Sequence, residues 1–382
     1  MPILDAVRRA RSARAASRPP VLSVVMPIYN VEQYLETTLA SVAAQSLRGF
    51  EVVVVDDGTP DSSADIARAW ARKDRRFRVI SQENAGPSAA RNTGIRHCAA
   101  PYLTFVDGDD TLPSDAWQHM VTSLQRTGSD LCVGKLVRDN GRRQFATERM
   151  KRNHAVDREH LRIEQMPRIL ADVFPVNKVY RRSFWDALDL SFPEGVFYED
   201  QPVMTKAFLA GTFDVLSETV YHYWIRADRS STTQLRHRLS DLSDRVLTKR
   251  MTVESVLAHG SAEVTSTFFD YVLPVDMWEY YRSVPQCSEE YWTVLRDSVR
   301  EFWNPATVPF EDTLVPVQQR LMGWFVYQDR RSNLEELIAF LDRSGVVKAE
   351  VDGVEVFDHP WRTEPGMPPG CILTSLRSTS GG

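Results

Sequence analysis

"PYLTFVDGDDTLPSDAW", residues 101–117, holds a short apolar run, Leu103 to Val106, that stops at Asp107. Asp107, Asp109 and Asp110 then crowd around one glycine, Gly108, before Pro113-Ser114-Asp115 leads into a helical pattern. The run has strand length, and a strand followed within a few residues by a capped helix is one half of a βαβ unit. The acids between them admit two readings. Asp and Gly are common turn residues, so the segment can be a solvated turn, or the carboxylates can hold a ligand.

The same alternation runs upstream. "VLSVVMPIY" reads as a buried strand, and "VEQYLETTLASVAAQS" sets Val31, Leu35, Leu39 and Val42 on one helical face. "FEVVVVDDG" is a second strand, and "PDSSADIARAWARKD" a helix with Asp61 or Ser62 as its cap. "FRVISQE" is a third strand and "GPSAARNTGIRHC" a short helix, and "SDLCVGKLV" follows the helix after residue 113. Strands alternating with helices predict an α/β fold with a mostly parallel sheet covered on both faces.

Composition bounds the function. A chain of 382 residues supports a large domain and a smaller one. A net charge of −5 leaves no global footprint for nucleic acid. The four cysteines, at 98, 132, 287 and 371, lack metal-ligand spacing and read as free thiols of a reducing compartment. No secretory leader is evident, and no apolar run approaches the roughly 20 residues of a spanning helix. Residues 1–20 stand apart: Arg8, Arg9, Arg11, Arg14 and Arg18 face one acid, Asp5. This is a basic tail, or a weak electrostatic contact with anionic lipid at the inner face of the plasma membrane.

In parallel sheets ligands bind beyond the carboxyl ends of the strands. Those ends carry Pro27, Tyr29 and Asn30, then Asp56 and Asp57, then Asn84, then Asp107, Asp109 and Asp110. Four polar ends on one edge converge on a pocket. The absence of GxGxxG after the first strand and of GxxxxGK[ST] anywhere argues against dinucleotide oxidoreductases and P-loop enzymes. Hard carboxylate oxygens suit Mn²⁺ or Mg²⁺ bound together with phosphate oxygens. One acid can instead accept from a ribose hydroxyl, and Asp57 from a base amide.

Together "VVVVDDGTPDSS", "NAGPSAARNTGI", "FVDGDD" and the first strand resemble, in order, the motifs of family 2 glycosyltransferases of GT-A fold, over about residues 21–115. The resemblance implies Asp109 on the metal, Asp107 on ribose and metal, Asp57 on uracil or an equivalent base, and Pro27, Tyr29, Asn84 and Arg91 lining the nucleotide pocket. Read on its own, Arg91 can reach a phosphate or pair with one of the acids.

A second group lies in "FPVNKVYRRSFWDALDLSFPEGVFYEDQPVMTKAFLAG", where Glu199-Asp200 precede a helix near Pro202. Acids there complement a helix dipole. They also suit a base, because an acceptor hydroxyl attacks poorly until its proton has somewhere to go. The segment resembles the family's "ED" motif, which makes Asp200 the base and Glu199 an orienting acid, with Lys178 near donor or acceptor. In "VYHYWIRADRSSTTQ", residues 220–234, His222 is a candidate metal ligand, and Arg226, Ser230 and Ser231 are candidate diphosphate contacts. By resemblance Arg226 is the stronger of these.

The expected organisation is a basic segment (1–20), a catalytic domain (21–234), a mainly helical extension (235–345), and a short β-like segment and tail (346–382). Aromatics such as those of "FFDYVLPVDMWEYYRSV" read as helix-packing core or as an acceptor surface. The resemblance favours an inverting enzyme using a UDP-sugar. Its acceptor would be a cell-surface glycopolymer, such as teichoic acid or capsule, or its lipid-linked precursor. Two rival readings are a nucleotidyltransferase, which would need a Gly-rich basic loop absent from "MPIYNVEQY", and a non-catalytic carbohydrate-binding relative, which would lose acids that are present here.

Overall fold

The computed structural model describes residues 19–226 and 236–376. The basic arginines of residues 1–18, the hydroxyls of Ser230 and Ser231, and the C-terminal tail from residue 377 lie outside the described residues. Among the described residues, 19–162 group with 172–226, and 163–171 with 236–376.

In the first unit β1 (Leu22–Ile28), β2 (Phe50–Asp56), β3 (Phe77–Ser81) and β4 (Tyr102–Phe105) alternate with α1 (Glu32–Ala43), α2 (Ser63–Lys73) and α3 (Gly86–Arg96), and α4 (Ala116–Thr127) follows β4. These strands lie in the order β3-β2-β1-β4, all parallel. Strands covered on both faces need unbroken apolar runs, and Val52 through Val55 of β2 are fully buried.

The chain continues through β5 (Leu131–Asp139), β6 (Gln144–Phe145), α5 (Glu148–Asn153), β7 (Arg158–Leu161), β8 (Lys178–Arg181), α6 (Arg182–Ala187), α7 (Asp200–Ala210) and β9 (Phe213–Trp224). The sheet extends as β4-β8-β5-β9-β7, with β6 paired to β5. β8 is antiparallel to both β4 and β5, and β9 is parallel to β5. The carboxyl ends of β1, β2, β3, β4, β5 and β9 therefore share one edge. The chain leaves β1 toward β2 and β3 and returns to β4 on the other side, which opens a crevice at that edge.

α3 lies against β1 because Gly94 lets it. A Cβ there would come within 2.3 Å of Val25 Cγ1, and Val25 is fully buried. Gly94→Ala is expected to cost about 1–3 kcal/mol through overpacking, read as a lower urea midpoint. An unchanged midpoint would show that α3 has room to move off the sheet.

The second unit contains α8 (Leu239–His259), α9 (Ala262–Thr267), a π-helical turn at Phe268–Val272, α10 (Met277–Ser283), α11 (Glu289–Phe302), α12 (Val317–Tyr327), α13 (Arg331–Ser344), and the antiparallel pair β10 (Lys348–Val351) and β11 (Val354–Phe357). Its aromatics form core: Phe268, Phe269, Tyr280 and Tyr281 are buried, and the rings of Trp303 and Phe310 meet edge to face at 4.8 Å. A hairpin turns at Asp352-Gly353, both residues adopting the positive φ (51° and 77°) that a two-residue turn requires.

The hairpin does not stand alone. Phe357 is buried beside Phe340, and the Arg320 guanidinium donates to the carbonyls of Val315, Gly370 and Leu373. Residues 346–376 thus pack with the helices. The grouping also departs from a single cut near residue 234. Ile169 and Leu170 bury their side chains and Arg168 lies over the Tyr271 ring, so this short stretch packs with residues far along the chain. No helix among the described residues is long and apolar enough to cross a membrane.

Candidate active site

The first strand end is built to be open. Pro27 sits beyond the last β1–β4 pair, Val25 with Phe105, so its missing N–H leaves no ladder bond unmade. Tyr29 follows, about half exposed, and Asn30 turns the chain at φ 53° with its N–H on Thr59 Oγ1 at 2.8 Å.

At the second end Asp57 is buried and well supplied with donors. Its carboxylate accepts from Gln82 Nε2 at 2.7 Å, from the Ala85 N–H at 3.0 Å and from the Gly86 N–H at 2.8 Å. Asn84 donates to the Asp57 carbonyl at 3.0 Å. These bonds tie the turn after β3 and the start of α3 to β2, which fixes the wall expected to meet a base.

The acids after β4 divide three ways. The Asp107 N–H donates to the Tyr221 hydroxyl (3.1 Å), and its carboxylate accepts from Arg91 at 3.0 Å. Asp109 accepts from Arg226 Nε at 2.8 Å, and the Arg226 guanidinium lies 5.3 Å from the Tyr34 ring centre. Asp110 is buried and accepts from the Tyr221 hydroxyl at 2.8 Å and the Trp224 N–H at 2.6 Å. It holds the segment to β9 and does not cap the helix that follows. Thr111 completes the attachment through a two-bond bridge to His222. Gly108 is present for space: a Cβ there would stand 3.0 Å from Val31 Cγ2.

Burial raises the proton affinity of Asp110 and, opposed by Arg226, of Asp109; the neighbouring carboxylates push the same way. Three like charges on one turn call for a cation, and in this structure arginines supply it. His222 is half-buried, its Nδ1 is 3.5 Å from Thr111 Oγ1, and burial lowers its pKa. It is not drawn into a cluster: among the described residues no three His, Cys, Asp or Glu side chains are placed to hold a metal. Asp107 and Asp109 alone offer the one or two carboxylates that Mg²⁺ or Mn²⁺ uses when substrate phosphates complete its shell, so the donor set fits such an ion.

Arg91 joins the two groups of acids. Only 5% exposed, it donates to Glu199 at 2.6 Å, to Asp107 at 3.0 Å and to Asp200 at 3.3 Å. Its face lies over Phe192 at 5.3 Å. Asp200 opens α7 and keeps about a quarter of its side-chain surface exposed. Burial raises its pKa well above the usual carboxylate range; Arg91 and Lys178 oppose the shift, while Glu199 and Asp107 add to it.

Lys178 lies deeper than expected. It is fully buried, bonded to the Asp172 carboxylate at 2.9 Å, to the carbonyls of Asp172 and Phe174, and to Asn177. The other Asp172 oxygen meets His154 Nε2 at 3.1 Å. Lys178 therefore acts on Asp200 as a charge held at a distance, and nothing leaves it free to touch a ligand directly. Sequence reading missed Tyr221 and Asp172. Tyr221 could have been found from strand alternation in "VYHYW", which turns Tyr221 and Tyr223 to the same face.

Comparison with known proteins agrees with this geometry. Residues 23–188 match the Glycosyl transferase family 2 model. The chain is 33% identical over 226 residues to the uncharacterized glycosyltransferase EpsJ of Bacillus subtilis, covering 57% of this chain and 64% of EpsJ. It is 30% identical over 206 residues to the poly(ribitol-phosphate) beta-N-acetylglucosaminyltransferase TarS of Staphylococcus aureus, covering 53% of this chain and 35% of TarS. The match thus spans less than two thirds of either relative. The crystal structure of S. aureus TarS residues 1–349 in complex with UDP superposes with a TM-score of 0.67 at 21% identity, covering 88% of this chain and 96% of that one. The mixed sheet with its helical C-terminal region has the GT-A fold of that structure, and the stretch that resembles the family 2 model, residues 23–188, runs from β1 through β8 and α6.

Proposed function

We propose that this chain is an inverting glycosyltransferase that moves a sugar from a nucleoside diphosphate, UDP foremost, to a hydroxyl of a bacterial cell-surface glycopolymer or its lipid-linked precursor. The observation that carries the reading is Arg91, which holds the acid of one strand end, Asp107, beside Glu199 and Asp200. Donor-edge and base groups thereby meet at one place. The glycopolymer acceptor follows from the likeness to TarS, and work at the inner membrane face follows from where nucleotide sugars and such precursors meet.

The donor base rests against Asp57 and Asn84, the ribose reaches Asp107, and the diphosphate lies toward Asp109 and Arg226. Asp107 and Asp109 would hold Mn²⁺ or Mg²⁺, which when bound offsets charge on the departing diphosphate. Asp200 takes the acceptor proton as the acceptor oxygen forms its bond to the anomeric carbon. The bond from that carbon to the diphosphate oxygen breaks with its electron pair, on the opposite face. One displacement inverts the centre and leaves no covalent enzyme intermediate. Ser230, Ser231 and His222 are assigned to the donor's surroundings on the sequence alone.

The test is nucleotide release from UDP-, GDP- and CDP-sugars with Mn²⁺ and a glycopolymer acceptor. Release with one donor, reduced at least 100-fold by Asp109→Ala, is expected. No release with any donor, or equal release by the variant, sinks the reading.

A further inference from the structure

We propose that the turn between β5 and β6 is a docking site for phosphodiester groups of the acceptor. The acceptor would then be an anionic, phosphate-linked polyol or saccharide chain, not a neutral glycan. This rests on the glycosyltransferase reading above and adds a substrate class to it.

The turn stands on the catalytic edge. β5 ends at Asp139, whose register partner on β9 is Trp224, and Ile225 donates to the Asp139 carbonyl at 2.8 Å. Trp224 in turn donates to Asp110, and Arg226, two residues on, bonds Asp109. Asn140 to Arg143 therefore adjoin the acids through one strand end.

The turn is also built to a fixed shape. Asp139 accepts from the Gly141 N–H at 2.8 Å and from Gln144 Nε2 at 3.0 Å. Asn140 Oδ1 accepts from the Arg142 N–H at 3.1 Å and the Arg143 N–H at 3.0 Å. Gly141 takes φ +76°, and a Cβ there would reach 3.2 Å from the Trp224 ring. The turn's one carboxylate is thus spent on holding its backbone.

Its two arginines are not spent. Arg142 and Arg143 are exposed, and among the described residues neither has a carboxylate partner; Arg143 lies over the Phe145 ring at 5.0 Å. A guanidinium on a fixed turn presents a planar fork that matches phosphate oxygens at little ordering cost. The tips of two such forks, on the strand edge that carries Asp109 and Asp110, suit a chain whose phosphates alternate with hydroxyl-bearing units. A lipid surface is the poorer fit, because no large apolar side chain is exposed between residues 138 and 152 to enter a bilayer.

The test measures binding of a synthetic polyol-phosphate oligomer to the full chain by calorimetry, at 50 and 200 mM salt. The variant is R142E/R143E. Its control is R72E/K73E, which reverses the same number of charges at the far end of α2, on exposed residues. The expected result is at least ten-fold weaker binding by R142E/R143E, with a salt slope shallower by about two, and little change in the control. Equal weakening in both variants, no weakening, or no binding of the oligomer by the unaltered chain overturns the proposal. So does loss of binding to anionic phospholipid vesicles in R142E/R143E while oligomer binding persists. Donor turnover by the unaltered chain is scored separately. Turnover with an unaffected oligomer sinks only this inference, whereas specific oligomer binding without turnover sinks only the transferase reading.

Discussion

Asp200→Asn is expected to lower kcat by about 10²–10⁴-fold while leaving the KM for donor nearly unchanged. The amide keeps the shape of the carboxylate and can still accept from Arg91, so α7 and its neighbours stay in place. It cannot take a proton. The pH profile gives a second check. Burial, joined by Glu199 and Asp107, holds the Asp200 pKa above the ordinary carboxylate range against the pull of Arg91 and Lys178. The working form is the ionised one, so kcat falls as pH drops through that raised value, earlier than a solvated carboxylate would allow. Glu199→Gln removes one of the raising charges and is expected to move this acidic limb to lower pH. A limb that stays where it was in Glu199→Gln, or an Asp200→Asn enzyme within a few-fold of the unaltered rate, would remove Asp200 from the role of base.

How much of this was legible in the sequence depends on range. The alternation from β1 to α4 is local, set by runs such as Val52–Val55 and by caps and turns a few residues away, and the structure repeats it closely. The strands after residue 130 pair out of chain order: β8 inserts between β4 and β5, and β9 lies between β5 and β7. No local pattern announces such pairings, because they are fixed by which faces bury which side chains across the sheet. The acids show the same division. Their clustering at one edge follows from strand direction alone. That Asp110 serves β9 while Asp109 meets Arg226 depends on Tyr221, Trp224 and Arg226, more than 100 residues downstream. Lys178, expected near donor or acceptor, lies buried for a related reason: Asp172, six residues earlier, folds back and pairs with it.

Arg91→Met is expected to be the most damaging single change to stability at neutral pH. It removes the cation that faces Glu199, Asp107 and Asp200, leaving three carboxylates in mutual repulsion. Breaking a buried pair by deleting one partner costs about 3–5 kcal/mol. Asp107 and Asp200 retain 31% and 26% of their side-chain exposure, so water relieves part of the strain and the lower end of that range applies. Methionine keeps most of the contact with Phe192, which separates lost charge from lost packing. The pH dependence identifies the cause. In the variant Asp200 loses the cation that opposes its raised folded pKa, so it binds its proton more readily folded than unfolded, and stability rises as pH falls and decreases as pH rises through that raised value. A cavity would lower the urea midpoint equally at pH 5 and pH 8. Charge repulsion makes the deficit large at pH 8 and small at pH 5. Arg91→Lys restores a charge but not the fork that spans three acceptors, so it is expected to fall between the two. An Arg91→Met midpoint that lags the unaltered protein by the same amount at both pH values would mean that packing, and not the ion network, makes Arg91 important.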